Sequence, residues 1–549
     1  MRSRSTAQIA GPALAGALVL AWLLADPRTP DLAAQVYRVG LFKGIGLAVW
    51  DEHWYAGHHL PGYSLLFPPL GALLGVRTVG ALCALLSTLL FGRIASSFYS
   101  RGAGAAGTAA FAVAAVGDVW LGRLAFALGV TFALGSALAL LRGRPGWAAA
   151  LALACAAASP VAGLLLGLAG LVLSVHERSA RGLLALALAP AAVVVPLALL
   201  FPEGGYEPFP LLSFLATAGV VLAFLVALPQ RARLLRMGAL VYLLVCVACV
   251  LTRTPVGSNV ARLAALLAAP LLLCELGAAA GAGAAPSGGP GPGAGAAGAV
   301  AGRERLHGLR GAIAVLALAA IGTWVVWGPV RETEAVAGSA ATSASYYGPL
   351  ERFLAGSGGA PVRVEVPLTR SHWEAALLAP RVSLARGWEK QLDERYDTVL
   401  LGTSLTPDSY LAWLRREAVA YVALPDAPLD TSSKREGRLV SAGLRYLRPV
   451  FRSAHWRVFA VTGATPLASA AAAVTGLGHD WFSLRFSSAG STLVRIHYTR
   501  YWTLTQGAGC VRAGAEGFTR VSSSRAGAVT VRATFSLGRA LGAGGGCRG

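Results

Sequence analysis

DPRTPDLAAQVYRVGLFKGIGLAVWDEHWYAGHHLPGYSLLFPPL runs from Asp26 to Leu70 and breaks a chain that is otherwise strongly apolar for its first 330 residues. Four acidic residues fall in it: Asp26, Asp31, Asp51 and Glu52. Leu32, Val36, Val39 and Phe42 have amphipathic spacing, so residues 31–45 read as a helix lying along a membrane interface. The next stretch, WDEHWYAGHHLPGYS, packs two carboxylates, three histidines (His53, His58, His59) and four aromatics into fifteen residues. An interfacial aromatic belt with solvated charges is the plainer reading of that density. The histidines lack a spacing such as HExxH that would make a metal site.

Outward from this loop the composition becomes decisive. Of 549 residues, 55% are hydrophobic and 13% charged, with a mean hydropathy of +0.60. Soluble proteins carry about 25% charged residues. A soluble enzyme or a disordered protein is therefore a poor description. The net charge of +21 is spread along the chain, with no dense Lys/Arg block among aromatics, so nucleic acid is not an expected partner. Nearly all the basic residues are Arg, with Lys only at 43, 390 and 434. With the abundant Gly and Ala, this bias reads as genome composition.

Runs of about 20 apolar residues mark membrane spans. Eleven are expected, at roughly 7–25, 77–97, 103–117, 124–141, 146–159, 160–175, 182–200, 211–229, 238–252, 263–276 and 312–328. With a cytoplasmic N-terminus, the inside loops hold fourteen Arg and the outside connections seven Arg or Lys. This bias, with an odd span number, places the tail outside the cytoplasm. The first run follows Arg2 and Arg4 like a signal peptide, but it is read as a retained span because ten further spans share its topology. The expected organisation is a polytopic membrane domain over 1–276 with a first outside loop at 26–76. A Gly/Ala/Pro-rich cytoplasmic linker follows at 277–311, then the last span at 312–328.

The tail has ordinary soluble composition. Residues 361–367, 397–401 and 418–424 read as short buried strands, and 407–417 and 437–447 have helical spacing. An extracytoplasmic α/β region is thus expected over 329–463. From Trp481 the period becomes alternating (WFSLRFS, STLVRIHYT, GFTRVSS, GAVTVRATF), which predicts a β-sandwich within 464–549. The segment from Arg370 to Asp393, rich in Arg, Trp and acid, reads either as a lid facing the membrane or as a salt-bridged surface helix. Cys83, Cys155, Cys246, Cys249 and Cys274 lie in apolar runs as small core residues. Cys510 and Cys547 fall in the outside region, where a disulfide is plausible.

Other polar residues gather at the outside ends of the spans. Asp118 and Arg123 sit in GDVWLGRLAF, Glu203 and Glu207 flank Tyr206, and Arg253, Ser258, Asn259 and Arg262 lie in TRTPVGSNVARL. Ionisable groups at such places mark a substrate path or snorkelling side chains. An acid soon after the first span, an amphipathic segment and an exit of the form G-x-x-L-P-x-Y-x-x-x-x-P-P-L (Gly57 to Leu70) resemble the GT-C glycosyltransferases. Leu66 to Pro69, Asp118, the GRxAF stretch at Gly122–Phe126 and the Ser159–Pro160 turn are similar to that superfamily. The outside tail resembles its protein mannosyltransferase and arabinofuranosyltransferase branches, and the whole also looks like YfhO-type membrane proteins.

The resemblance implies a GT-C-like membrane all-α fold followed by an extracytoplasmic α/β plus β-sandwich domain. It implies transfer of a sugar from a polyprenyl-phosphate donor, held in the lipid bilayer, to a glycan or protein acceptor. By that pattern Asp31 is the catalytic base, with Asp51 the rival and Glu52 a further candidate. Arg123 and Arg262 would bind the donor phosphate. His53, His58, Tyr63, Glu203, Glu207 and Asn259 are candidate substrate-binding residues. Asp118 corresponds to the second-loop acid that in some branches holds a divalent cation such as Mg2+ or Mn2+, while many branches use none. Two other classes stay open, a transporter or flippase and a non-catalytic envelope-assembly protein. The lack of an internal repeat or mid-span charge disfavours the transporter.

Overall fold

The computed structural model describes residues 3–283, 297–356, 359–469, 471–542 and 547–548. The chain divides into two compact units that interleave in sequence. One comprises Met1–Pro27, Leu73–Val195 and Glu207–Glu334, and the other Arg28–Ala72, Pro196–Tyr206 and Ala335–Gly549. The expected boundaries are corrected accordingly. Residues 28–72 and 196–206 group with the tail, so 1–276 is not one continuous unit.

The first unit is helical. Each of the eleven apolar runs forms a helix, but among the described residues eight helices are long and apolar enough to cross a membrane. The number rises to nine if Ile9–Ala25 and Pro30–Ile45 count as one broken span. Pro145–Ala158 and Leu211–Ala227 are shorter. At 1.5 Å per residue the 14-residue Pro145–Ala158 covers about 21 Å, less than a hydrocarbon core of about 30 Å. The expected count of eleven spans is therefore not met, because a run's apolarity does not set where its helix stops; here Ser159 caps a new helix, accepting from the amide of Ala162. The chain is a multi-pass membrane protein. Of the expected linker, residues 284–296 lie outside the described residues. Helices occupy its two ends, Arg262–Gly283 and Ala297–Val336.

Glycine here does more than report genome composition. A Cβ on Gly107 would lie 2.2 Å from Cys274 Sγ, one on Gly129 2.6 Å from Ala162 Cβ, and one on Gly163 2.7 Å from Ala156 Cβ. Small residues let helix backbones approach where lipid supplies no hydrophobic drive. Phe91 and Phe111 stack at 4.5 Å inside the same bundle, and Ser87 and Thr131 share a 2.9 Å hydrogen bond. Cys246 and Cys249 are free and buried, as their CxxC within an apolar helix suggested.

The second unit holds two β-layered regions. A five-stranded sheet runs in the order Ser383–Leu384, Arg363–Glu365, Val419–Pro425, Trp456–Val461, Leu447–Arg452; the first three strands are parallel and the last two antiparallel. The expected strand at 397–401 is instead a helical turn, Thr398–Leu401, and 437–447 straddles the helix Lys434–Ser441 and the start of a strand. The C-terminal region is two four-stranded antiparallel sheets sharing one core. Phe482, Leu484 and Val531 from one sheet meet Val494, Val511 and Val521 from the other. Cys510 and Cys547 are bonded, joining Gly509–Ala513 to the terminal strand.

The loop that follows the first helix is part of this unit's core. Its helix Pro30–Ile45 buries Leu32, Ala33, Ala34, Gln35, Tyr37, Arg38, Val39 and Leu41, so it is not an exposed interfacial helix. A short hairpin pairs Trp50–Asp51 with His58–His59. Trp50 sits edge-on to Trp502 at 5.7 Å, within the sandwich core. The turn between these strands puts Tyr55 and Ala56 at φ 56° and 55°, a left-handed conformation uncommon outside glycine. Gly57 (φ 113°) completes it, since a Cβ there would lie 2.3 Å from the Trp50 ring.

Candidate functional site

Asp51, Glu52 and His53 converge with tail residues more than 300 positions away. Asp51 Oδ2 accepts from Tyr37 Oη at 2.7 Å; its Oδ1 accepts from the His53 amide at 3.1 Å and pairs with His479 Nδ1 at 2.9 Å. Glu52 Oε1 accepts from Arg363 Nη2 at 3.1 Å and Ser383 Oγ at 3.3 Å. The amide of Glu52 donates to His479 O at 2.7 Å, and His53 Nδ1 lies 2.6 Å from Ala379 O, so that nitrogen carries the proton. Both carboxylates are fully buried.

Their environments push them apart. Burial works against the Asp51 anion, but the His479 hydrogen bond and the fields of His58, His479 and His53 outweigh it and hold the carboxyl well below the usual range. Burial dominates at Glu52 and lifts it to about 7, with Arg363 opposing; its Oε2 has no hydrogen-bond partner among the described residues. A carboxyl near 7 suits a general base, but a base must reach the proton it takes. With no accessible surface in this unit, Asp51 and Glu52 read first as the polar seam that locks the loop into the tail.

Farther along the loop helix lies a second cluster. Gln35 donates through Nε2 to Tyr63 Oη, the Arg38 guanidinium lies 3.7 Å from the centre of the Tyr63 ring, and Arg38 Nη2 is ion-paired to Glu389. His58 Nδ1 donates to Asp51 O at 3.1 Å, and its Nε2 faces Glu389 Oε1 at 3.8 Å. Gln35 Oε1, Arg38 Nε and Nη1, and His58 Nε2 are buried without a hydrogen-bond partner among the described residues. Asp31 begins the same helix, in its first turn after Pro30, and is partly buried. Glu203 grips the hairpin: its two oxygens accept from the His59 amide at 3.0 and 2.7 Å.

The remaining candidates lie in the helical unit. Asp118 and Arg123 form an ion pair at 3.6 Å across the turn between Arg101–Trp120 and Leu124–Leu141. The Arg262 guanidinium lies 5.2 Å from the Phe126 ring, one helical turn beyond Arg123. Glu207 accepts from Ser258 Oγ at 2.8 Å, and the Asn259 amide donates to Val256 O at 2.9 Å within a short 3-10 turn. Among the described residues no three His, Cys, Asp or Glu side chains are grouped to hold a metal ion. Asp118 faces the Arg123 guanidinium, and no step below uses a metal ion.

Sequence reading missed the tail's half of the seam: Arg363, Ser383, Glu389 and His479. Nothing in their local sequence marks them. Arg370–Asp393 is mostly buried within the second unit, so it is not a salt-bridged surface helix. Trp373 Nε1 donates to Arg28 O at 2.9 Å, and Trp54 Nε1 donates to Ala375 O at 3.2 Å. Arg386, fully buried, bridges Glu365 at 2.6 Å and Glu436 at 2.5 Å.

No protein-family profile matches the chain, and no curated protein matches it. Among solved structures it is similar to the arabinofuranosyltransferase AftD from mycobacteria, in two cryo-EM classes of one mutant. For class 2 the identity is 14% and the TM-score 0.48, covering 97% of this chain and 60% of that one. For class 1 the values are 15%, 0.41, 95% and 59%. The chain thus spans less than two thirds of the AftD chains it matches, and at these scores the likeness fixes no activity.

Proposed function

We propose that this chain is a membrane glycosyltransferase that moves a sugar from a polyprenyl-phosphate donor to a glycan or protein acceptor on the outer side of the membrane. The observation that carries the reading is that Asp118, from the end of the preceding helix, pairs with Arg123 at the start of helix Leu124–Leu141, while Arg262, which begins another helix, lies over Phe126 in the first turn of the same helix. Two guanidiniums at a span end suit the phosphate of a donor whose lipid tail must stay in the bilayer. The GT-C-like motifs of the first loop support the same reading.

In the reaction the bond from the sugar's anomeric carbon to the phosphate oxygen breaks as the acceptor oxygen bonds to that carbon. Asp31 takes the acceptor proton, and Arg123 and Arg262 stabilise the leaving phosphate. Asp31 is preferred over Asp51 and Glu52 because it retains accessible surface, whereas both rivals are sealed in the seam.

The test is donor-dependent transfer by the purified full chain in lipid nanodiscs. Asp31→Asn is expected to lower turnover by about 10²–10⁴-fold with donor binding kept. Arg123→Lys should raise the donor KM, since an ammonium cannot reproduce a bidentate phosphate contact. Transfer that is unchanged in Asp31→Asn, or absent with every polyprenyl-phosphate sugar offered, removes the reading.

A further inference from the structure

A cavity of about 330 Å³ opens between the α/β region and the C-terminal sandwich, within the range of small-molecule pockets. We propose that it binds a neutral saccharide unit of a glycan chain. None of its residues has a part in the transfer chemistry above.

His497 is the fixed point. The pairing of its strand slips between Val494 and His497, a bulge of the kind that re-aims a side chain. Its amide donates to Ala56 O at 2.7 Å, and its carbonyl accepts from Trp502 Nε1 at 3.1 Å and Thr519 Oγ1 at 3.2 Å. Nδ1 lies 3.3 Å from Gly57 O, so it carries the ring proton and leaves Nε2 as an acceptor. Burial holds the imidazole neutral, its pKa lowered to about 3. Tyr396 and Phe518 stack on its two sides at 4.1 and 5.3 Å, and Arg395 and Arg495 cover their rings at 4.9 and 5.7 Å. The aromatic faces are thus occupied by one another and by guanidiniums, so recognition falls to the polar groups.

Those groups are balanced. Among the lining residues Arg395 and Arg416 face Glu417 and Glu516, two charges of each sign, with Arg495 set back over the Phe518 ring. Arg416 Nε donates to Glu417 Oε1 at 2.7 Å, which orients both. Arg395 and Glu516 are exposed and make no hydrogen bond or ion pair to the described residues. A zero-sum ring of donors and acceptors disfavours a polyanion and matches hydroxyls, each of which donates and accepts. Glu516 also holds φ 57°, ψ 22° without being glycine, ahead of Gly517 at φ 80°. Such strain clusters at ligand clamps.

The experiment uses the full chain in nanodiscs without donor, so its outcome does not depend on the transfer reading. Neutral oligosaccharides of two to four hexose or pentose units are titrated and followed by saturation-transfer NMR. Saturable binding is expected in the millimolar range or tighter. Arg395→Ala and Glu516→Ala should each weaken it by about tenfold, or about 1.4 kcal/mol, with the thermal unfolding of the tail unchanged. No saturable binding, binding that is indifferent to both substitutions, or a preference for sulfated or uronic saccharides would each overturn the proposal.

Discussion

A carboxyl pair one residue apart can be driven in opposite directions when different partners enclose each member. Asp51 has three donors and neighbouring imidazoles, whereas Glu52 has burial opposed by a single guanidinium and the Ser383 hydroxyl. Because Glu52 is lifted from 4.5 to about 7, the folded chain holds its proton more tightly than the unfolded chain. That contribution to stability is complete below about pH 4.5 and is lost as pH rises through about 7. Glu52→Gln has no charge to acquire. The unfolding temperature of the variant, compared with wild type, should therefore improve as pH rises from 4.5 to 7, by the equivalent of about 1–3 kcal/mol. A difference that stays flat across that window would mean Glu52 is ionised in the fold throughout. The WDEHWYAGHH stretch was visible as unusual in sequence, but its role as a seam was not. Arg363 and His479 lie 311 and 428 residues from their carboxylates.

At the scale of elements, the first-loop hairpin behaves as an internal part of the sandwich. Trp50 is 2% exposed and touches Trp502 in a core that also contains Phe482 and Val531. Trp50→Ala should cost about 3–5 kcal/mol of tail stability. Residues 335–549 made alone should lack cooperative unfolding, and joining residues 28–72 through a flexible linker should restore it. A sharp calorimetric transition in 335–549 alone would show the loop to be an appendage. The Cys510–Cys547 bond closes a 37-residue separation. On chain-entropy grounds it contributes about 4 kcal/mol, so Cys547→Ser should lower the unfolding midpoint clearly. Alkylation after non-reducing denaturation should find the five free cysteines and no more. The alternation after Trp481 predicted these strands closely because one face is buried and the other wet. The strand misplaced at 397–401 shows the limit of a short apolar run, which fits a buried helical turn equally well.

For the whole molecule, the proposed reaction requires the polar span ends and the tail to share one side of the membrane. The bias of fourteen basic residues against seven predicts that this side is the outside. A phosphatase reporter placed after residue 330 should be active only outside the cytoplasm, and one inserted between residues 284 and 296 should be inactive there. The reverse pattern would put Asp118, Arg123 and Arg262 on the cytoplasmic side and end the proposed use of an external acceptor.

Sequence alone determined what depends on local periodicity. Apolar runs long enough to demand a bilayer, alternation that demands a two-sided sheet, and two cysteines in the region beyond the spans are each read within about twenty residues. Tertiary structure decided everything that pairs distant segments. Arg28–Ala72 folds with Ala335–Gly549 and not with the helices that flank it in the chain. The physical reason is that the loop's buried charges find their ion-pair partners outside the loop. Asp51, Glu52 and Arg38 find theirs in His479, Arg363 and Glu389, and a buried charge goes where its counter-charge is, however far along the chain that lies.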